Sequence, residues 1–178
     1  YVARQVARWS KQYRASETDD IEAMNNLIDW LPKNTPDDDE TSIVHGDYRL
    51  DNMILKNNQV MGILDWELST LGHPIADFSY HCLSWRTQEA FWDQAKLKEL
   101  GVPSEKEYMD MYCENTGKDL SKNWEFYMAF NMFKIAGILQ GILGRVRDGT
   151  ASSKHAEDRG MMVYPLSEAA WNTIIENF

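Results

Sequence analysis

Apolar residues recur along this chain at two periods, and the period changes with position. Val2, Val6, Trp9 and Tyr13 fall at three- and four-residue spacing, one face of an amphipathic helix already under way at the first residue. Ile21, Met24, Leu27, Ile28 and Leu31 repeat that spacing, with Asp19 and Asp20 as cap candidates and Pro32 as the stop. A polar loop over 33–41 follows, and the pattern then shortens. Residues 42–45 (SIVH) read as a short strand. Residues 53–56 (MILK) and 60–65 (VMGILD) read as a hairpin turning at Asn57–Asn58, its second strand ending in Asp65. Residues 46–52 are a loop between them, and another loop ends at Gly72, His73 and Pro74.

From there the period is helical again. Pro74 opens a helix over 75–86. A second helix over 88–100 ends at Gly101. Ser104 and Glu107 form a capping box for 105–116, which Gly117 closes. The longest helix covers 122–148, residues 149–163 read as a loop or short turn, and Ala169 to Phe178 form a last helix docking on the core. The prediction is an α+β, mostly α-helical chain, one domain over 1–178, with one small β-hairpin. No internal repeat or low-complexity tract interrupts it.

The stretch 126–144 is very apolar, with Asn131, Lys134 and Gln140 interrupting. A membrane span needs about 20 apolar residues without charge, and Lys134 sits in the middle. The expectation is therefore a central core helix and no membrane span. Gly137, Gly141 and Gly144 on it allow close helix packing. The Met set (Met109, Met111, Met128, Met132) reads as core.

Composition narrows the function classes. The chain has 178 residues with 28 acidic and 18 basic side chains, a net charge of -10, which argues against nucleic acid or an anionic membrane as partner. The charge is uneven: residues 1–16 are basic, and 17–67 hold most of the excess acid. The run from Asp37 to Glu40 reads as a solvated loop. Two cysteines, Cys82 and Cys113, cannot build a disulfide scaffold, and no signal-type apolar region follows the start. These features place the chain in the cytoplasm or another reducing intracellular compartment. His73, His81 and His155 have no ligand spacing with the cysteines, so no zinc site is expected.

The chemistry concentrates in 43–67. A short strand delivers His45, Gly46 and Asp47 into a loop, and Asn52 follows five residues after Asp47. Gly46 permits an unusual backbone angle beside the carboxylate. The hairpin then returns the chain at Asp65. One loop and one hairpin end thus bring carboxylates and an amide to one point. Such hard oxygen donors suit Mg²⁺, which takes one or two carboxylates together with phosphate oxygens. Asp47 is placed to orient or deprotonate a hydroxyl, and His45 is expected to hold the loop by a hydrogen bond.

The order Asp, four residues, Asn, hairpin, Asp is the kinase template. The run H-G-D-x-x-x-x-N, then I-L-D-W, then G-H-P-I-A-D-F resembles the aminoglycoside phosphotransferase and choline kinase group of protein-kinase-like enzymes. The likeness is strong over 43–80. Residues 1–14 and 124–144 look like the kinase-like domain of the subgroup fused in animals to acyl-CoA dehydrogenases. The resemblance implies that Asp47 is the catalytic base, that Asn52 and Asp65 bind Mg²⁺, and that Asp77 supports the catalytic loop. It also implies ATP (or GTP) as phosphoryl donor and a small hydroxylated molecule as acceptor, a hydroxyacyl thioester first and an aminoglycoside second.

Departures from the family pattern shape the expectation. Arg49 stands where many members carry His, two residues after the Asp, and is expected to pair with a phosphate or with Asp51. Trp66 takes the place of the Phe in the D-F-G motif of protein kinases, and Glu67 is a further acceptor near the metal ligands. No Gly-rich loop or strand Lys precedes residue 43. The resemblance therefore implies a C-terminal lobe with the N-terminal nucleotide lobe absent, inactive alone. The rival expectation is a catalytically incompetent lobe or pseudokinase serving as a binding or scaffold module. The lobe-facing surface should be apolar and support a homodimer; a strict monomer in sedimentation at high concentration would count against that.

Overall fold

Val2, Val6, Trp9 and Tyr13 are all buried on one face of the first helix, as their spacing requires. The computed structural model describes residues 1–37, 40–87 and 94–178. In chain order the elements are α1 (Val2–Ser16), α2 (Glu22–Trp30), β1 (Ser42–Val44), β2 (Met53–Lys56), β3 (Gln59–Ile63), β4 (Thr70–Gly72), α3 (Pro74–Cys82), α4 (Ser84–Thr87), α5 (Gln94–Glu99), α6 (Glu105–Thr116), α7 (Trp124–Arg147), α8 (Ala156–Met161) and α9 (Val163–Asn177). They divide into two compact units, one of Tyr1–Asp39 with Glu125–Phe178 and one of Glu40–Trp124.

The first unit is all helical. Phe126, Tyr127, Met128, Phe130, Met132 and Phe133 of α7 are buried, and full burial of such a side chain stabilises by about 1.5–3 kcal/mol. By length and composition α7 could cross a membrane, but 61% of its most apolar window is buried inside the protein. Of its polar interruptions, Gln140 donates through its amide N–H groups to Ser16 O at 2.7 Å and to Thr18 Oγ1 at 3.0 Å. At Gly144 a Cβ would stand 3.1 Å from Ser16 O, so a small residue lets α1 approach α7.

Two boundaries in this unit differ from the sequence pattern. Neither Asp19 nor Asp20 caps α2; its N-cap is Ile21, without a side-chain cap bond. The Asp20 carboxylate instead accepts from the Asn25 amide, and Asp19 accepts from the Tyr164 hydroxyl. α2 stops at Trp30, just ahead of Pro32 as expected, and Pro32 sits in the 3₁₀ turn Leu31–Lys33 that follows, near whose start its missing N–H is not needed. Residues 149–163 contain α8, and α9 starts six residues before Ala169. α8 buries only Ala156 and Gly160, four residues apart. A Cβ on Gly160 would meet Leu143 of α7 at 3.0 Å, so packing of two small residues fixes a helix that shows no apolar stripe.

The second unit holds all described strands. β2 and β3 pair antiparallel around Asn57 and Asn58, both at positive φ (51° and 59°), which is the hairpin turn the sequence predicts. The strand β4 lies in what the pattern reads as loop. It pairs antiparallel with β1, Ser42 opposite Gly72 and Val44 opposite Thr70. Its three residues are too few to show alternation. Leu83 divides the predicted helix 75–86 into α3 and α4 through a bond from its N–H to Tyr80 O. The capping box at Ser104 and the left-handed Gly117 bound α6 as expected. Residues 88–93 of the expected helix 88–100, with Trp92, lie outside the described residues, as do Asp38 and Asp39. Ile43, Leu55, Met61 and Leu71 on the strands and Leu68 in the 3₁₀ turn between β3 and β4 are exposed.

Candidate active site

Chain direction builds the site. β1 hands the chain to the loop 45–52, and β4 hands it to α3 through His73 and Pro74. Because β4 runs antiparallel to β1, α3 turns back alongside β1 and passes under the loop. Asp77, Tyr80 and His81, at i, i+3 and i+4, share one face of α3. They meet successive loop residues. The Asp77 carboxylate accepts from His45 N–H and Gly46 N–H, both at 2.8 Å. The Tyr80 hydroxyl donates to Asp47 Oδ1 at 2.7 Å. His81 Nδ1 lies 3.1 Å from Tyr48 O, and its Nε2 lies 3.0 Å from the Tyr108 hydroxyl. A carbonyl only accepts, so Nδ1 carries the proton and Nε2 accepts from Tyr108.

Gly46 adopts φ 85°, and a Cβ there would stand 2.7 Å from Leu68 O. The position therefore demands glycine twice, for the backbone angle and for the close approach. His45 is buried. Its Nε2 donates to Leu64 O at 2.8 Å, and its Nδ1 accepts from Asp47 N–H at 3.2 Å. The expected loop-holding role is thus realised, and it ties the loop to the exit of the hairpin. Asn52 O accepts from Leu64 N–H at 2.8 Å and makes the same connection from the other side.

The Asn52 side chain is buried and donates from Nδ2 to Asp47 O at 2.9 Å and to Asp47 Oδ2 at 3.1 Å. Arg49 Nε stands 3.3 Å from Asp47 Oδ2 and its Nη1 3.3 Å from Asp51 Oδ2. The expected pairing with Asp51 is present, together with one to Asp47. Asp65 lies two residues past the end of β3, not at the end of the strand. It is exposed in the left-handed conformation (φ 61°, ψ 55°), which Asp tolerates better than most residues. Trp66 packs on His45, ring centres 4.8 Å apart. Glu67 is exposed and makes no hydrogen bond or ion pair among the described residues.

His45, Asp47, Arg49, Asn52 and Asp77 are therefore one bonded cluster, with Asp65 next in sequence to Leu64, which bonds to both His45 and Asn52. Sequence reading missed Tyr80, His81 and Tyr108. Only their helical spacing from Asp77 could have pointed to the first two. Burial, then the bond to Asp47, pushes the Tyr80 phenol far above its ordinary value, so it stays a donor. Burial lowers the His81 imidazole, against the opposing pull of Tyr48 O and Asp77, and favours its neutral form.

The donor chemistry fits a hard divalent cation. Among the described residues, with Nδ2 turned to Asp47, the Asn52 amide oxygen keeps no donor and the exposed Asp65 carboxylate makes no ion pair. No three His, Cys, Asp or Glu side chains converge as a cation cage among the described residues. Any cation would take one carboxylate and one amide oxygen here and complete its shell from phosphate or water, the usual Mg²⁺ habit.

An Asp–Asn loop seated on a helical base, followed by a hairpin that returns a second Asp, is the arrangement of the C-terminal lobe of the protein-kinase-like fold. The model described as the phosphotransferase enzyme family (APH) matches residues 1–112, and the chain belongs to that family. It is 49% identical to a solved structure from Ralstonia eutropha JMP134, provisionally described as an aminoglycoside phosphotransferase. The TM-score is 0.92, over 99% of this chain and 56% of that one. It is 45% identical to acyl-CoA dehydrogenase family member 10 of Mus musculus over 97% of its length and 41% identical to family member 11 of Homo sapiens over 94%. The chain spans 17% and 22% of those two proteins. The mostly helical α+β, kinase-like fold and the likeness to the dehydrogenase-fused subgroup are thus as the sequence implied.

Proposed function

We propose that the protein carrying this chain transfers the γ-phosphoryl group of ATP (or GTP) to a hydroxyl of a small molecule. The carrying observation is the Asp47 carboxylate, anchored by Tyr80 on one oxygen and by Asn52 on the other. In this reading Asp47 takes the hydroxyl proton, the hydroxyl oxygen bonds to phosphorus, and the bond from phosphorus to the leaving nucleotide oxygen breaks. The products are a phosphate ester and ADP. Asn52 and Asp65 would hold Mg²⁺, which neutralises charge on the phosphate oxygens when bound. Arg49, half exposed beside Asp47, would pair with a phosphate oxygen. Asp77 and His45 hold the loop in place.

The relatives named as acyl-CoA dehydrogenase family members support a hydroxyacyl thioester as acceptor. An aminoglycoside is the second choice, supported by the description of the Ralstonia structure and by the acidity of 17–67. The exposed apolar side chains Ile43, Leu55, Met61 and Leu71 on the strands support self-association. Calorimetric titration of the full-length protein with Mg²⁺–ATP tests the nucleotide part. Binding is expected, about tenfold or more weaker in Asp65→Ala, as for loss of a charge-assisted contact. Absence of binding in the unmodified protein would overturn the proposal.

A further inference from the structure

We infer that Tyr80 is a positioning residue for Asp47, fixing which carboxylate oxygen is presented to the acceptor hydroxyl. The inference rests on the phosphoryl-transfer reading above. Three residues on one face of α3 hold the loop, and two of them do so through its backbone. Asp77 takes the N–H groups of His45 and Gly46, and His81 takes the carbonyl of Tyr48. Tyr80 differs. It reaches a side chain, and that side chain is the carboxylate of Asp47.

The two oxygens of that carboxylate have unequal surroundings. Oδ1 accepts the Tyr80 hydroxyl at 2.7 Å, a short bond of the charge-assisted kind. Oδ2 accepts the longer 3.1 Å bond from Asn52 and faces Arg49, whose side chain is 54% exposed. Tyr80 therefore anchors Oδ1 from α3, and Oδ2 lies between the buried Asn52 amide and the half-exposed Arg49 guanidinium. Rotation about Cβ–Cγ would exchange the oxygens and tilt the carboxylate plane, and the Tyr80 bond opposes that rotation. A base working on a bound hydroxyl depends on such alignment, since misplacement by about 1 Å costs on the order of 100-fold in rate. Tyr80 acts on the carboxylate of Asp47, so in this reading its effect passes through that carboxylate.

The test compares Tyr80→Phe, Asp47→Ala and the unmodified full-length protein, with ADP release and thermal unfolding as readouts. Phe keeps the ring and removes only the donor. The expected result is a kcat about 10- to 100-fold lower in Tyr80→Phe, the range for losing one hydrogen bond to a charged group. The KM for Mg²⁺–ATP and the melting temperature should stay near the unmodified values. Adding Tyr80→Phe to Asp47→Asn should then cost little more in kcat than Asp47→Asn alone. If Asp47→Ala abolishes turnover while Tyr80→Phe keeps full kcat, the inference falls and the function stands. A joint fall in kcat, KM behaviour and melting temperature, or a variant that does not fold, would mean a structural role and would also overturn it. Unchanged turnover in Asp47→Ala, or no turnover in the unmodified protein, would remove the functional reading and this inference together.

Discussion

Asp47→Ala is expected to lower turnover of the full-length protein by about 10²–10⁴-fold, the usual contribution of a positioned general base. The substitution removes the atom that would take the proton. It also strips Asn52 of one of its two bonds to residue 47, since the amide donates both to the carboxylate and to the main-chain carbonyl. The carbonyl bond survives, so Asn52 should stay in place and nucleotide affinity should change far less than kcat. ADP release at saturating Mg²⁺–ATP, with calorimetry on the same sample, separates the two effects. Turnover equal to that of the unmodified protein would rule out Asp47 as the base.

Asp77→Ala should damage the same site from beneath. One carboxylate accepts two adjacent N–H groups, His45 and Gly46, each at 2.8 Å. Without it both donors lose their partner at the part-buried floor of the loop. The expected cost is about 3 kcal/mol of stability, in the range for hydrogen bonds to a charged acceptor. Urea unfolding measures it as a lower midpoint. The loop should lose its set position as well, because those two bonds fix the backbone directly ahead of Asp47. Asp77→Asn should recover only part of the loss, since an amide offers one accepting oxygen and turns donors toward the second N–H. A midpoint within error of the unmodified protein would show that the loop does not depend on Asp77.

Much of this was legible in the chain because the signals are local. Helical spacing marked α1, the core of α2 and α7. Ser104 with Glu107 marked the start of α6, and Asn57–Asn58 marked the hairpin turn. The order His45, Gly46, Asp47, Asn52, Asp65, Asp77 carried the candidate site, because the spacing of loop and hairpin already limits which groups can meet. What stayed hidden was set by partners far away in sequence. β4 is three residues long and has no pattern of its own; β1 makes it a strand. α8 has no apolar stripe and forms because Ala156 and Gly160 are small enough to pack, Gly160 against Leu143. Asp19 and Asp20 have the chemistry of caps, but Tyr164 and Asn25 compete for their carboxylates.

The sequence by itself determined the residue types of the site, their order and the family they belong to, since donor chemistry and short-range spacing are written residue by residue. The tertiary structure alone decided how those residues are held. The pairing of β1 with β4 sends α3 back beneath the loop, and only then do Asp77, Tyr80 and His81 face residues 45–48. A hydrogen bond acts within about 3 Å, so a tyrosine 33 positions from Asp47 has no bearing on it until the fold brings the two together.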